Sequence, residues 1–226
     1  MLPQNPSQIY KAGLRFHDED ETYRCLSVFN FGAYFDESRR PFGNLEIVND
    51  ETLAPRQTQS FSIAKNKNLI LIPLVGTIDY HDGIGNQNDI GTEEIQVLKT
   101  TKPIAFQLRN PYETELINYL QIRISSVSEK DFFEKKQFDF NRRNELFPLL
   151  ESEGHKISIG IFSGRSEGFY RLPKENGAFA FVINGAFEFQ NRLLESRDAL
   201  VIWDVSEIEF EALSENAILL LIETLL

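Results

Sequence analysis

The side chains best suited to metal or nucleophile chemistry are few: three histidines, His17, His81 and His155, and one cysteine, Cys25. A transition-metal centre needs imidazole and carboxylate groups converging within about 2.0–2.2 Å of one point. No His-x-His or His-x3-His occurs, so no local stretch offers a chelating pair. His17 reads as a surface residue, and His81, in the polar stretch His81-Asp-Gly-Ile-Gly-Asn86, as a structural one. Cys25 reads as a small buried hydrophobe rather than a nucleophile. A single cysteine excludes an intrachain disulfide and fits a reducing compartment.

Other constellations are equally thin. Glu93-Glu94 and Asp18-Glu-Asp-Glu21 are neighbours in sequence and read as solvated acids. No Gly-x-Ser-x-Gly is present for a nucleophile elbow. Ser163-Gly-Arg-Ser166 lacks the lysine and spacing of a phosphate loop and reads as a surface turn. Gly83-Ile-Gly-Asn86 precedes a strand, not a helix, which removes the geometry of a phosphate cradle.

The elements that would hold any site are strands. Residues 69–121 set the pattern: the apolar run Leu69-Ile-Leu-Ile-Pro-Leu-Val75, Gly76, an alternating strand at 77–80, a polar turn, then strands at 94–98, 106–108 and 116–124. Short β-rich runs between Gly, Asn and Asp turns predict a small antiparallel barrel or sandwich. Residues 178–222 repeat the order, with Gly185 in the place of Gly76, which predicts an internal duplication. Residues 23–35 read as one strand bent at Gly32. Residues 141–150 read as a short helix capped by Asn141 or Asn144. Trp203 is expected in the core or pocket wall of the second unit, with Glu167, Tyr170, Arg171 and Glu175 near its mouth. The expected division is a first barrel at 1–125, a connection at 126–154 and a second barrel at 155–226.

The 226 residues carry 34 acids against 23 bases, a net charge of −11. That balance repels phosphate backbones and anionic membrane surfaces, so neither nucleic acid nor membrane is an expected partner. The N-terminus lacks a basic-then-apolar signal pattern, and no apolar run approaches the ~20 residues of a membrane span. A cytoplasmic protein is expected, monomeric or homodimeric through exposed barrel edges.

In this order and spacing, several stretches resemble the pirin family of bicupins. They are Ser27-Val-Phe-Asn-Phe-Gly-Ala-Tyr-Phe-Asp36, Phe42-Gly43, Leu45-Glu-Ile-Val-Asn-Asp-Glu51, Ala54-Pro55 and Leu74-Val-Gly-Thr-Ile-Asp-Tyr-His-Asp82. Gly85-Asn86, Ile95-Gln-Val-Leu98, Asn110-Pro111, Leu120-Gln-Ile-Arg-Ile124, Gly185 and Asp198 complete the match. The resemblance implies an all-β chain of two tandem cupin, jelly-roll-like barrels. It also implies one metal, usually iron, in the first barrel, held by a His-x-His and a His-x-Glu. Counted back from Gly76 and from Asn110-Pro111, those ligand positions fall on Ser62, Ala64, Phe106 and Leu108. The acid that often follows the His-x-His falls near Asn68. All are replaced, so no catalytic residue, metal or cofactor is expected. The resemblance then implies a metal-free module that binds a small molecule or a protein, in a pocket lined by Ser62, Ala64, Asn68, Phe106 and Leu108 or filled by Phe106. The alternative is a quercetin 2,3-dioxygenase-like oxidoreductase with a relocated metal.

Overall fold

A computed structural model describes residues 5–126, 130–152 and 154–226. These divide into two units, one of residues 16–138 and one of residues 5–15 with 139–226. The strands in chain order begin with β1, Ser7–Tyr10, β2, Phe16–Glu19, and β3, Tyr23–Ser27. Then come β4, Leu45–Leu53, β5, Thr58–Ile63, β6, Lys67–Val75, β7, Ile78–Asp82, and β8, Gln87–Ile90. The first unit closes with β9, Glu94–Thr100, β10, Ile104–Arg109, β11, Ile117–Ser125, and β12, Phe132–Gln137. The other unit continues with β13, Phe147–Ser152, β14, His155–Phe162, β15, Glu167–Arg171, β16, Asn176–Asn184, and β17, Ala186–Phe189. It ends with β18, Leu193–Glu195, β19, Ala199–Ile202, β20, Glu207–Ala212, and β21, Ala217–Leu225.

Each unit is a pair of sheets. Barrel one has a larger sheet ordered β12-β9-β6-β11-β4-β3-β2 and a smaller one ordered β5-β10-β7-β8. Barrel two has β1-β19-β16-β21-β14-β13 and β15-β20-β17-β18. Adding ten to each strand number of barrel one reproduces barrel two, apart from the edges. The duplication predicted from sequence is therefore a shared topology. Gly76 (φ +75°) and Gly185 (φ +81°) stand at the same turn in each barrel. Both carry positive φ, which glycine adopts without steric cost. A Cβ at Gly185 would lie 2.3 Å from Ser214 Oγ, so close approach also demands glycine there.

The sequence explains which face each strand buries. β10 alternates fully, with Ile104, Phe106 and Leu108 buried and Ala105, Gln107 and Arg109 exposed. β16 is buried along nearly its whole length, as a central strand covered on both faces must be. Two separate cores result: one around Leu71, Tyr80, Phe106 and Tyr119, the other around Phe162, Phe187, Phe189 and Phe210.

Three expectations are corrected. The unit boundaries differ from a division at 1–125, 126–154 and 155–226. β1, near the start of the chain, pairs with β19 and belongs to barrel two, while β12 pairs with β9 and belongs to barrel one. Residues 141–150 form no helix. Asn144 takes φ +62°, and β13 starts at Phe147 on a sheet edge, where Pro148 is tolerated. Residues 23–35 are not one bent strand: β3 stops at Ser27, and Gly32 (φ +60°) lies in the irregular stretch beyond. No helix among the described residues is long and apolar enough to cross a membrane.

Candidate functional site

The interior of barrel one is built by β5, β7 and β10 of the smaller sheet facing β4, β6 and β11 of the larger one. Residues directly opposite in an antiparallel pair point to the same face. Phe106 lies opposite Phe61, and Ile104 opposite Ile63. Since Phe106 points inward, Phe61 and Ile63 do too, and Ser62 points out. Ser62 and Ala64 are both exposed. Asn68 is buried, but the core-facing residues of β6 are Leu69 and Leu71, so alternation turns Asn68 to the other face. Of the five expected lining residues, only Phe106 and Leu108 reach the interior. Phe61 and Ile63 hold the inward places expected for Ser62 and Ala64.

Aromatic rings fill this space. Phe106, 1% exposed, stacks on Phe61 at 5.3 Å and 21° between planes, and on Tyr80 at 5.7 Å and 23°. Tyr80 continues to Phe133 at 5.4 Å, and Phe61 to Tyr23 edge-on at 6.3 Å. Such pairs add about 0.5–1.5 kcal/mol each beyond area burial. Phe, Ile and Leu carry no ligating atom. The Tyr80 hydroxyl is already spent on Asp82 Oδ2 at 3.1 Å, and burial pushes that phenol up. Burial also raises Asp82, but hydrogen bonds from Asn86, Ile84 and Tyr80 outweigh it and hold the carboxyl below its usual range. His81 points away from this interior and is exposed. Among the described residues no group of three or more His, Cys, Asp or Glu is placed to hold a metal. The residues at the family's metal position therefore do not fit iron or another divalent ion.

A second feature of the same barrel escaped the sequence reading. Glu51, with no exposure, accepts from Asn49 Nδ2 at 3.1 Å and from Gln121 Nε2 at 3.0 Å. Arg123 donates to Gln121 Oε1 through Nη2 at 2.7 Å, so one amide links the guanidinium to the carboxyl. The hydroxyls of Tyr23 and Tyr119 are buried near this carboxyl, outside hydrogen-bond geometry. Cys25 lies 4.0 Å from Glu51, and burial, reinforced by Glu51, pushes its thiol up to about 12. That suits the packed cysteine expected from sequence, since a thiolate nucleophile needs the opposite environment. Residues 49–51 read as the approach to a turn. Counting by twos from inward Leu53 would have placed Glu51 inside.

Barrel two differs. Phe210 packs edge-on to Phe162 at 5.3 Å and stacks on Phe189 at 5.8 Å, closing the middle of the barrel. A cleft of 620 Å³ opens above, lined in part by Lys156, Tyr170, Arg171 and Glu223. Tyr170 and Arg171 are thus where the sequence reading put them. Glu167 instead lines a separate 220 Å³ groove with Glu188, Glu209 and Glu211, and Glu175 is simply exposed. Trp203 is only partly buried, and it follows β19 instead of joining the core. Its amide donates to Pro6 O at 3.2 Å.

Comparison with known proteins agrees with this architecture. Residues 154–224 match the family described as the quercetinase C-terminal cupin domain. The chain is 22% identical over 224 residues to a quercetin 2,3-dioxygenase of Escherichia coli, covering 93% of this chain and 95% of the relative. It is 24% identical over 211 residues to a pirin-like protein of Caulobacter vibrioides, covering 86% and 89%. Among solved structures, YhhW from Escherichia coli superposes with a TM-score of 0.91 at 20% identity, over 97% of each chain. A nickel(II) complex of the same bacterial pirin gives 0.89 at 19% identity, over 97% of this chain and 99% of that one. Two barrels of cupin topology, with similarity to pirin-like proteins along nearly the whole length, give this chain a bicupin fold like that of the bacterial pirins.

Proposed function

We propose that this bicupin works as a metal-free binding module with an interaction or regulatory role, not as a metal-dependent oxygenase. One observation carries the reading. Of the positions where the family resemblance puts metal ligands, Ser62 and Ala64 are exposed and Phe106 and Leu108 point inward, while Phe61 and Ile63 take the inward places on β5 and the rings of Phe61, Phe106 and Tyr80 stack across the interior. Quercetin 2,3-dioxygenase, the name borne by several relatives, denotes oxygen chemistry, which in this family depends on the metal. The inward side chains of β5 and β10 thus offer no ligand for the ion. The net charge of −11 favours a protein partner over nucleic acid.

The test is metal content of untagged protein by inductively coupled plasma mass spectrometry, before and after incubation with Fe(II), Ni(II), Cu(II), Mn(II) and Zn(II), together with quercetin consumption under oxygen. The expected result is far less than about one equivalent of any metal and no turnover. Near-stoichiometric metal with quercetin loss would overturn the reading and put a relocated dioxygenase centre in its place.

A further inference from the structure

We propose that the outer face of barrel one's smaller sheet is a binding site for a zwitterionic α-amino acid. The site lies within one unit and does not rest on the reading of that barrel's interior. A groove of 420 Å³ runs over this face, within the roughly 300–1,000 Å³ of small-ligand sites. β10 turns Gln107 and Arg109 outward, and the strand register carries Thr58, Asp79 and Asp89 to the same face. Tyr80 and Asn88 also border the groove but turn their side chains to the other face, Tyr80 onto Phe106 and Asn88 to Gln96.

Charges of both signs stand in one row. Thr58, Arg109, Asp79 and Asp89 are successive direct neighbours across β5, β10, β7 and β8. Among the described residues, no ion pair or side-chain hydrogen bond engages the Arg109 guanidinium or either carboxylate. An Arg109–Asp79 pair on this open face would gain little over hydration, so a ligand displaces nothing strong. Asp79 and Asp89 are like charges directly opposite, an arrangement that repels. Lys135 reaches the Asp89 carbonyl at 2.9 Å, but its charge is met by Glu94 at 3.3 Å. A row across the same face of barrel two, Glu167, Glu211 and Glu188, holds carboxylates only, so the mixed order is not a product of the shared topology.

The order of signs selects the ligand. An ammonium group between Asp79 and Asp89 relieves their repulsion, and a carboxylate on Arg109 takes two parallel hydrogen bonds, all of them charge-assisted. With strands about 4.8 Å apart, the two poles lie roughly 5–10 Å from each other, a gap that an α-amino acid bridges with one hydrogen-bond length at each end. A simple cation or anion uses one pole only. His81 shares the face, yet among the described residues it and the two aspartates are not placed to hold a metal ion, which leaves an ammonium as the cation.

Titration of L-alanine into the isotope-labelled intact chain, read by amide chemical shifts, tests this, with acetate as the carboxylate alone and methylammonium as the ammonium alone. Alanine is expected to bind with a Kd of about 1 mM or below, shifting amides of β7, β8 and β10, and each half-molecule should bind about tenfold weaker or worse. R109Q should weaken alanine roughly tenfold or more, and R109K should restore part of the loss. D79N should weaken alanine and methylammonium alike while leaving acetate unchanged. Arg109 and Asp79 lie outside the core, so circular dichroism of these variants should match the parent. No saturable shift with alanine up to about 10 mM, a half-molecule that binds as tightly, or equal affinity in R109Q would overturn the proposal.

Discussion

A carboxyl group sealed from solvent sets the chemistry of barrel one at the level of single residues. Glu51 is held by Asn49 and Gln121, with Arg123 one amide away. Its pKa lies above the usual carboxyl value, because burial disfavours the charge more than the hydrogen bonds from Asn49 and Gln121 and the nearby Tyr119 and Tyr23 hydroxyls restore it. The folded chain thus keeps a proton that the unfolded chain loses near the ordinary value of 4.5. This contribution to stability is complete below that value and is lost as pH climbs through the raised folded pKa. Glu51→Gln cannot titrate. Urea midpoints measured from about pH 4 to about pH 8 should show the parent losing stability relative to E51Q as pH rises. Parallel profiles would mean that Glu51 ionises alike in both states.

At the level of elements the decisive quantity is the register of one strand. Apolar runs, turn glycines and the alternation of β10 were all readable from sequence, and Phe106 and Leu108 were assigned to the right face. The error arose in crossing a turn. Counting back from Gly76 passes residues 64–66, where Asn66 takes φ +59°, and an offset of one residue there inverts every side chain of β5. Pairing resolves it, because Phe61 lies opposite Phe106. Glu51 was missed for a related reason: three polar residues in a row look like a turn, and only the long β4 shows that they alternate. Two grafts separate the registers. With Phe106→His and Leu108→Glu in both, one adds Phe61→His and Ile63→His, the other Ser62→His and Ala64→His. The first should take up about one equivalent of nickel(II) by mass spectrometry and the second far less, since its new imidazoles face water. Equal loading would refute the register.

For the whole molecule, the order of strands along the chain differs from their grouping into folded units. β1 is completed by barrel two and β12 by barrel one, each filling the edge beside an equivalent strand, β19 or β9. An N-terminal strap anchors the first of these. Asp198, 2% exposed, accepts from Lys11 Nζ, from the Ala12 amide at 2.8 Å and from the Glu195 amide at 3.0 Å. Amide exchange should follow folded units, not sequence, because protection is lost by cooperative groups. Phe106→Ala and Phe210→Ala each remove a buried ring from one core, at a cost of about 3–5 kcal/mol. F106A should speed exchange in residues 132–137 along with β5 to β11. F210A should speed it in residues 7–10 along with β16 and β19. If residues 7–10 instead loosened with F106A, β1 would not be an integral strand of barrel two. A chain cut after residue 15 would then lose nothing essential to that barrel, whereas the pairing of Tyr10 with Ala199 requires that it lose an edge.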